Sequence, residues 1–220
     1  MTPVKGFWHH FFMTSTSLPR RSRAPRGEGE RLRGDILKAT SRLLARMGSD
    51  EALSLRAVAR EVGVSPPSVY LHFPDKQAVL VAVAAELFGD LEHTLDAAAA
   101  DAGDDPVAAL LARARAYVIW GMKNPGHYKV LYEGTLLRHI TDPADRSFGR
   151  TALLALISDL ERAAAAGALP PPDDTERTAR LLWQALHGVA SLRINKPGVV
   201  WDDPEGDVEA LVRAVLRLAP

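Results

Sequence analysis

Hydrogen-bonding and cationic side chains are concentrated between positions 56 and 76 of this 220-residue sequence. The groups that stand out are two cations, three hydroxyls and one imidazole, namely Arg56, Ser65, Ser68, Tyr70, His72 and Lys76. Cations and hydroxyls bind the phosphate oxygens of nucleic acids, and the same groups can donate hydrogen bonds to base edges. The chemistry that this set favours is therefore contact with a polyanion rather than catalysis.

Two short helices are predicted to position these side chains. Ser54 can accept a backbone hydrogen bond at the start of the first helix, and Gly63 can end that helix in the left-handed conformation. Ser65 is a suitable N-cap for the second helix, since Pro66 fits the first helical position. Pro74 stops the second helix after two turns or less.

Longer helices are predicted on either side of this pair. Apolar residues recur at three- and four-residue steps over 30–47, which predicts a helix that closes at Gly48. Asp75 can cap another long helix that begins at Lys76. A longer helix followed by two short ones is the geometry of a helix-turn-helix, whose second short helix enters the major groove of DNA. The alternative is a plain three-helix bundle in which the outward tyrosine and histidine only cover the edge of the core.

The stretch from Ser54 to Ser65, continued by Val69 to Lys76, resembles the DNA-binding domain of the tetracycline-repressor (TetR) family. The resemblance covers about residues 30–80, and the Tyr-x-His-Phe-x-x-Lys ending is its most specific part. It implies an all-helical homodimer with three DNA-binding helices, a larger ligand-binding domain and a palindromic operator. It also implies that Tyr70 and Lys76 hold phosphates and that His72 contacts the DNA backbone. The residues that it places at base edges or thymine methyl groups are Arg56, Pro67, Ser68 and Leu71.

The tip of the predicted recognition helix departs from the family pattern. Pro66 stands where family members often carry a polar side chain, and Pro67 follows it. Two successive prolines remove backbone N–H donors and hydrogen-bonding side chains from the end that faces the groove. We therefore expect direct base discrimination to depend on Arg56 and Ser68.

Charge divides the chain into two parts although the total is zero. Residues 1–76 contain 13 Lys and Arg against 7 Asp and Glu, whereas residues 77–220 contain 14 against 20. This asymmetry is expected where one end of a protein meets a polyanion. We predict a disordered basic arm (1–29), a helix-turn-helix domain (30–76) and an effector-binding and dimerisation domain (77–220).

The predicted arm has no apolar periodicity. Residues 1–12 are apolar but short and are interrupted by two histidines, which favours an upstream extension or a mis-assigned start before Met13 over a signal peptide. Further along are four arginines, which could add minor-groove or phosphate contacts or could form only a solubilising tail: Arg20, Arg21, Arg23 and Arg26. The sequence leaves both interpretations open.

Prolines and glycines divide the rest of the sequence into helices, and no strand-like segment of any length appears. The predicted helices span roughly 76–100, 106–124, 126–133, 143–166, 174–195 and 205–218. Together with the three upstream helices they predict an all-α fold of about nine helices, in which a three-helix domain precedes a larger helical domain.

The aromatic residues of the C-terminal part recur at helical spacing. The candidates for the wall of a small-molecule pocket are Tyr117, Trp120, Tyr128, Tyr132, Trp183 and His187. The alternative is that each ring belongs to the core and that His187 is an interhelical hydrogen-bonding residue. The run from Trp183 through His187 to Gly188 also resembles the C-terminal domain of the TetR subgroup that is named for its Trp, His and Gly.

Two apolar stripes near the C-terminus predict a dimer surface. The residues concerned are Leu182, Leu186 and Val189 on one helix and Leu211, Val212 and Val215 on the next. Both helices are more apolar than a solvent-facing terminal helix requires, so we predict that they pack against a second copy of the chain.

These patterns predict a DNA-binding transcriptional regulator, and the resemblance implies a repressor that a small molecule releases from its operator. The sequence has no cysteine, no Gly-rich phosphate loop, no His-Glu-x-x-His motif and no nucleophile elbow. We therefore predict that the protein is not an enzyme, and we expect no cofactor and no metal. The alternatives are a ligand-independent architectural DNA-binding protein and, less favoured, an all-helical enzyme. The expected location is the cytoplasm, on the nucleoid, since no apolar run is long enough to cross a bilayer.

Overall fold

The computed structural model describes residues 28–135 and 149–218, which are helical and contain no β-strand. This part of the chain contains nine α-helices and one π-helical turn: α1 (Glu28–Met47), α2 (Leu55–Val62), α3 (Pro66–Tyr70), α4 (Lys76–Asp101), α5 (Pro106–Lys123), α6 (Pro125–Tyr128), the π-turn (Lys129–Glu133), α7 (Arg150–Ala165), α8 (Thr175–Asn195) and α9 (Pro204–Leu216). The predicted all-α fold is confirmed. The predicted arm lies outside the described residues except for Glu28 and Gly29, which already belong to α1.

Helices α1, α2 and α3 form a small bundle. The Ser54 hydroxyl accepts a hydrogen bond from the Ala57 N–H (3.2 Å) at the start of α2. Gly63 ends α2 with a φ of 82°, a left-handed conformation that strains any residue with a Cβ. Apolar side chains close the bundle from within: Ile36, Leu44, Val58, Val69 and Phe73.

Helix α4 connects this bundle to the rest of the molecule. Asp75 caps it, since its Oδ1 accepts from the Ala78 N–H at 2.8 Å. The helix has 26 residues and, at about 1.5 Å per residue, is about 39 Å long. Its apolar residues pack against α1 at one end and along α5: Val79, Val83, Leu87, Leu91 and Leu95. The three-helix bundle and the C-terminal helices are therefore joined by one continuous element.

Helix α5 is the central helix of the C-terminal part. It begins with Pro106 at its first position, and the Asp105 carboxylate accepts from the N–H groups of Val107 and Ala108. It packs against α4, α7, α8 and α9. Because it has neighbours on several sides, buried residues occur around most of its circumference: Leu110, Arg113, Ala114, Tyr117, Val118 and Trp120.

Two predicted helices differ from the structure. The segment predicted as one helix over 126–133 is the short α6 followed by the π-turn. The turn closes with a hydrogen bond from the Gly134 N–H to the Lys129 carbonyl (2.7 Å), five residues apart instead of four. Apolar periodicity over a single turn does not distinguish these two patterns. The helix predicted from 143 begins at Arg150 among the described residues, and residues 136–148 lie outside them.

None of the helices in the described ranges is both long enough and apolar enough to span a membrane. In the same two ranges, histidine and carboxylate side chains form no group of three or more that could hold a metal ion.

Candidate functional site

Helix α3 presents an exposed and mainly apolar surface. Val69 of α3 is buried in the bundle, and so is Phe73, just beyond the end of the helix. Their burial turns the opposite side of α3 toward solvent. The exposed residues there are Pro66, Pro67, Tyr70 and Leu71. Tyr70 is 53% exposed and Leu71 is 84% exposed. In a helix-turn-helix, this side of the second short helix faces the major groove.

Ser65 occupies the N-cap position of α3, but its hydroxyl does not cap the helix. Ser65 Oγ instead bonds Ser68 Oγ at 2.9 Å, and the Ser65 carbonyl accepts from the Ser68 N–H, also at 2.9 Å. The reason is that Pro67 at the second helical position has no N–H to donate, and the Ser68 N–H at the third position is already bonded to the Ser65 carbonyl. Ser65 is thus the N-cap residue, as predicted, but the expected side-chain hydrogen bond to the helix is absent, and the two hydroxyls at the tip of α3 are paired with each other.

Three more of the predicted DNA-binding residues, Arg56, His72 and Lys76, lie on the segments around α3. Arg56 is exposed on α2, and His72 is half-buried between α3 and α4. Lys76 directs its Nζ to the Glu51 carbonyl at 3.0 Å. This bond to a carbonyl supplies no opposite charge to the Lys76 ammonium group at the start of α4, where the helix dipole also attracts anions.

Five of the six predicted pocket residues form one aromatic cluster in the C-terminal part. Tyr132 is at its centre, and the ring centroids of the other four lie between 5.0 and 6.5 Å from that of Tyr132: Tyr117, Tyr128, Trp183 and His187. The ring of Phe88 on α4 also packs against Tyr132, at 5.9 Å. The Tyr128 hydroxyl is 2.6 Å from His187 Nδ1, and Trp183 Nε1–H donates to the Tyr117 oxygen at 3.3 Å. The aromatic cluster thus links α5, α6, the π-turn and α8.

Trp120 is the predicted pocket residue that the structure does not bring to the aromatic cluster. It is buried, and its Nε1–H donates to Asp90 Oδ2 of α4 at 3.0 Å. Tyr117 and Trp120 are three positions apart, which separates them by about 60° around α5. That angle is enough to turn Tyr117 toward α8 and Trp120 toward α4, so Trp120 is assigned to the α4–α5 contact.

Burial keeps the titratable groups of the aromatic cluster uncharged. It raises the pKa of the phenols of Tyr117, Tyr128 and Tyr132 above the ordinary value of 10.0. It lowers the pKa of the His187 imidazole below the ordinary value of 6.5, although nearby Glu133 opposes that shift. Near neutral pH the cluster therefore offers hydrogen bonds without net charge.

A pocket of about 30 Å³ adjoins the aromatic cluster. Tyr117, Tyr132 and Trp183 line it on the cluster side. The rest of its wall is apolar and comes from α4, α5, α7 and α8, including Leu95, Ala114, Leu153, Leu156 and Leu186. The one charged side chain among the described lining residues is Arg113.

Arg113 is buried in a network of four charges. Its Nε donates to Asp159 Oδ2 at 2.5 Å and its Nη1 to Asp96 Oδ1 at 2.6 Å, while Arg162 donates to the other oxygen of Asp159 at 2.5 Å. Burial alone would lower the pKa of Arg113, but the hydrogen bonds to the two carboxylates outweigh burial and raise that pKa. Two cations face two anions, so this part of the pocket wall has no net charge.

The residues of this charge network were not predicted, although the sequence carries a signal for them. Arg113 lies on the apolar stripe that also holds Leu110 and Tyr117, and Asp159 lies on the stripe that holds Leu156 and Ala163. Charged residues are almost never fully buried unless they are paired. An arginine and an aspartate on the inner faces of two helices therefore indicate an ion pair between those helices.

Two family profiles match the sequence. The family described as "Bacterial regulatory proteins, tetR family" matches residues 36–89, and "Tetracyclin repressor-like, C-terminal domain" matches residues 110–218. Together they take in about three quarters of the chain. The chain belongs to the TetR family of transcriptional regulators. As a member of that family it is a DNA-binding regulator and not an enzyme, as predicted, whereas the Trp-His-Gly subgroup stays a prediction.

Relatives of this TetR-family protein share most of its length. The HTH-type transcriptional regulator Rv1816 of Mycobacterium tuberculosis is 26% identical over 212 residues, which cover 79% of this chain and 88% of the relative. The structure of a protein with unknown function from Rhodococcus sp. RHA1 is 28% identical, with a TM-score of 0.75 over 89% of this chain and 98% of that one. SmeT, the repressor of the Stenotrophomonas maltophilia multidrug efflux pump SmeDEF, is 24% identical with a TM-score of 0.65, and the match covers 84% of this chain and 88% of SmeT. SmeT therefore shares the fold.

Helix α6 of the TetR-family protein contacts the DNA-binding helices directly. His127 Nε2 lies 3.0 Å from the Ser41 carbonyl oxygen and 3.1 Å from the Ser41 hydroxyl on α1. Gly126 approaches α1 so closely that a Cβ there would lie 2.0 Å from the Ala45 carbonyl oxygen. Only glycine fits this contact, which fixes the distance between the two helices.

A second contact joins the loop between α1 and α2 to the end of the π-turn. Asp50 is buried, and its carboxylate accepts hydrogen bonds from the Thr135 N–H (3.2 Å) and the Thr135 hydroxyl (2.8 Å). Thr135 lies three residues after Tyr132, the centre of the aromatic cluster. We call the contacts Ser41–His127, Ala45–Gly126 and Asp50–Thr135 the interdomain joint. Periodicity did not predict it, because its partners are about 85 residues apart in sequence.

The structure corrects half of the predicted dimer surface. Leu182 and Leu186 of α8 and Val212 of α9 are at most 3% exposed, because they pack into the core of their own chain. They are not available to a second copy. The other three predicted residues are half-buried, and for them the prediction stands untested: Val189, Leu211 and Val215.

A different face of α8 is exposed and apolar. Leu181 is 50% exposed and Leu192 is 49% exposed. They are eleven positions apart, about three helical turns, and so lie on the same side of the helix. Between them on that side are the small residues Ala185 and Gly188. We call these four residues the α8 stripe.

Proposed function

We propose that this TetR-family protein is a repressor that leaves a palindromic operator when a small molecule enters the pocket beside the aromatic cluster. The observation that carries the proposal is the position of Tyr132. This residue lines the pocket, and it also belongs to the π-turn that leads to the interdomain joint. A change in the pocket wall therefore has a short path to the loop before α2, along the backbone from Tyr132 to Thr135 and through the hydrogen bonds of Thr135 to Asp50. The boundary between the DNA-binding and effector domains is proposed to lie near Lys76, as the sequence predicted.

The pocket chemistry supports a neutral and largely apolar effector. The wall is mostly aliphatic and aromatic, its phenols are protonated, and its buried charges are balanced. An ionic effector would leave an unpaired charge in this surrounding, which is costly. A compound with an apolar body and one or two neutral hydrogen-bonding groups fits the phenol and indole donors.

The pocket volume supports a coupled conformational change. About 30 Å³ holds no more than a few atoms, whereas a benzene ring requires a cavity of roughly 150 Å³. An effector of ordinary size must therefore displace part of the wall. Displacement of Tyr132 would move the π-turn and the groups bonded to Asp50 and Ser41. An effector shifts operator affinity only if it binds the displaced and undisplaced states differently.

A symmetric dimer is part of the proposal. The α8 stripe is an apolar surface with small residues at its middle, a combination that lets a second helix approach closely. Together with the half-buried Val189, Leu211 and Val215 it offers a surface for a second copy of the chain. Two copies would place two α3 helices on one face of DNA, which matches a palindromic site. A cytoplasmic location on the nucleoid belongs to the same proposal.

Genome-wide mapping of the sites bound by the protein, combined with transcript levels in a deletion strain, tests the proposal. We expect a few sites with a shared palindrome and higher transcription of the adjacent genes when the protein is absent. Thermal-shift screening against neutral aromatic and aliphatic compounds should then find at least one that raises the melting temperature and weakens operator binding. Sites without a palindrome, together with no response to any compound, would indicate an architectural DNA-binding protein. Lower transcription in the deletion strain would indicate an activator.

A further inference from the structure

The tip of α3 has almost no free hydrogen-bond donor. The nitrogens of Pro66 and Pro67 carry no hydrogen, and the Ser68 N–H is taken by the Ser65 carbonyl. Ser65 and Ser68 share one hydrogen bond between their hydroxyls, so one of the two hydroxyl protons is already used. The first turn is left with one hydroxyl proton for DNA, and a single donor cannot make the bidentate contacts by which side chains distinguish purines.

Both ends of α3 expose apolar surface that the described part of the chain does not cover. Leu71 is 84% exposed at the end of α3, and Pro66 and Pro67 are exposed at its start. A leucine side chain exposed to water has an unfavourable hydration free energy, and burial against another apolar group removes that cost. Val69 and Phe73 anchor the helix from the opposite side, so these three residues are held outward rather than free to turn in.

We infer that the protein reads its operator mainly through the 5-methyl groups of thymine bases, which contact Pro66, Pro67 and Leu71 in the major groove. The thymine methyl is the apolar group that a base pair presents there, and its position distinguishes T·A from A·T, G·C and C·G. Arg56, exposed on α2, is left to bind a guanine or a phosphate next to these thymines. The inference rests on DNA binding by the TetR family and is independent of effector release.

Thymine-to-uracil substitution is the most direct test, because it removes the methyl group and leaves every hydrogen-bonding atom of the base pair in place. The full-length protein is first used to select binding sites from random-sequence duplex DNA. Each thymine of the selected half-site is then replaced by deoxyuridine, and the affinity of the full-length protein is measured. We expect a loss of about fourfold for each contacted methyl, the value for one buried CH₂-sized group. Uracil in the flanking DNA should have no effect.

Variants of exposed residues assign the methyl contact to α3. Leu71→Ala should weaken binding to the thymine operator by about the same factor and should leave binding to the uracil operator nearly unchanged. Val200→Ala is the matched control, since Val200 is also exposed but lies in the loop between α8 and α9. Circular dichroism should show the same helix content for both variants.

Three results would overturn the inference. The selected half-sites could lack thymine, deoxyuridine could bind as well as thymidine at every position, or Leu71→Ala could lower both affinities equally. The last result would indicate that Leu71 contacts the sugar-phosphate backbone. Any of these would leave DNA binding and effector release untouched, so failure of this inference is distinguishable from failure of the proposed function.

Discussion

Side chains from three elements surround His187. The Tyr128 hydroxyl from α6 lies 2.6 Å from its Nδ1, the Tyr117 hydroxyl from α5 lies 3.3 Å from the same atom, and Tyr132 of the π-turn packs against its edge. Glu133 is the nearby charged group that favours protonation, but burial prevails and lowers the pKa of His187. A cationic imidazole would thus be unfavourable in this buried position.

We predict that His187 makes the folded protein less stable in acid. A histidine whose pKa is lower in the folded state binds a proton more readily when unfolded, so its contribution is fully present above the ordinary pKa of 6.5 and is lost as the pH falls toward the lowered value. The drop in melting temperature from pH about 7.5 to about 5.5 should be smaller for His187→Gln than for the wild type. His93→Gln is the control, since His93 is exposed on α4. Equal drops in all three proteins would show that protonation of His187 does not contribute to the loss of stability in acid.

Residue types predicted which residues form the aromatic cluster, but they did not predict which hydrogen-bond partner each polar group takes. Five of six pocket candidates meet because Tyr, Trp and His recur on inner helix faces, a pattern that spacing reveals. Ser65 shows where residue type is insufficient. A serine in front of a helix predicts a side-chain cap, but the cap also needs a free donor. Pro67 has no N–H, and the Ser68 N–H bonds the Ser65 carbonyl instead.

At the scale of elements, the Arg113 network fastens α4, α5 and α7 together. We predict that Arg113→Met lowers the free energy of unfolding by about 3 kcal/mol, because it leaves the Asp159 carboxylate buried with half of its ionic partners. This value is the lower end for a broken buried pair, since Arg162 still binds the other oxygen. Urea unfolding followed by circular dichroism measures the change.

Two further variants separate the charge effect from loss of packing. Arg180→Met removes an exposed arginine that pairs with Glu176 on α8, and it should cost no more than about 0.5 kcal/mol. Adding Asp159→Leu to Arg113→Met removes both buried charges and should restore part of the lost stability. If the double variant is less stable than Arg113→Met alone, the main role of these residues is shape rather than charge.

The α8 stripe carries the prediction about assembly. We expect the wild type to have about twice the 23.9 kDa mass of one chain in light scattering after gel filtration. Leu181→Glu combined with Leu192→Glu places two charges on the stripe and should give a monomer, since an unpaired carboxylate in an apolar interface is unfavourable. Leu154→Glu is the control, because Leu154 is equally exposed (51%) on α7. A double variant that stays dimeric would place the interface elsewhere.

The position of the stripe on α8 shows what periodicity leaves undecided. Leu182, Leu186 and Val189 form one apolar stripe, and Leu181 and Leu192 belong to another that is rotated by about one residue. The sequence contains both, but it does not say which one faces the chain's own core. Burial decides this: α5, α7 and α9 pack against α8 on the side of Leu182 and Leu186. In the same way, the first residues of α2, α3 and α4 were predictable because residues at the N-cap positions mark them. The end of α3 at Tyr70, before the predicted stop at Pro74, and the π-turn have no such marker.

At the scale of the whole molecule, the interdomain joint connects the DNA-binding helices to the segment that carries the aromatic cluster. Thermodynamic linkage is reciprocal, so if an effector at the cluster changes operator affinity, operator DNA must change the equilibrium at the cluster. This gives a test that requires no knowledge of the effector. DNA should alter hydrogen exchange of the backbone amides in the π-turn (Lys129–Glu133), which lies away from α3 and has no contact with DNA in a helix-turn-helix complex.

We predict that Thr135→Val interrupts this communication while preserving the fold and operator binding. Valine keeps the shape of threonine but removes the hydroxyl that donates to the buried Asp50 carboxylate, one of the two bonds between these residues. In the wild type, operator DNA should change the exchange rates in the π-turn by at least about fivefold, the lower end of typical allosteric coupling. In Thr135→Val most of that change should disappear. Thr94→Val is the matched control, since the Thr94 hydroxyl bonds only the Asp90 carbonyl within α4. An identical response in both variants would mean that coupling runs through α4 and the Ser41–His127 contact instead.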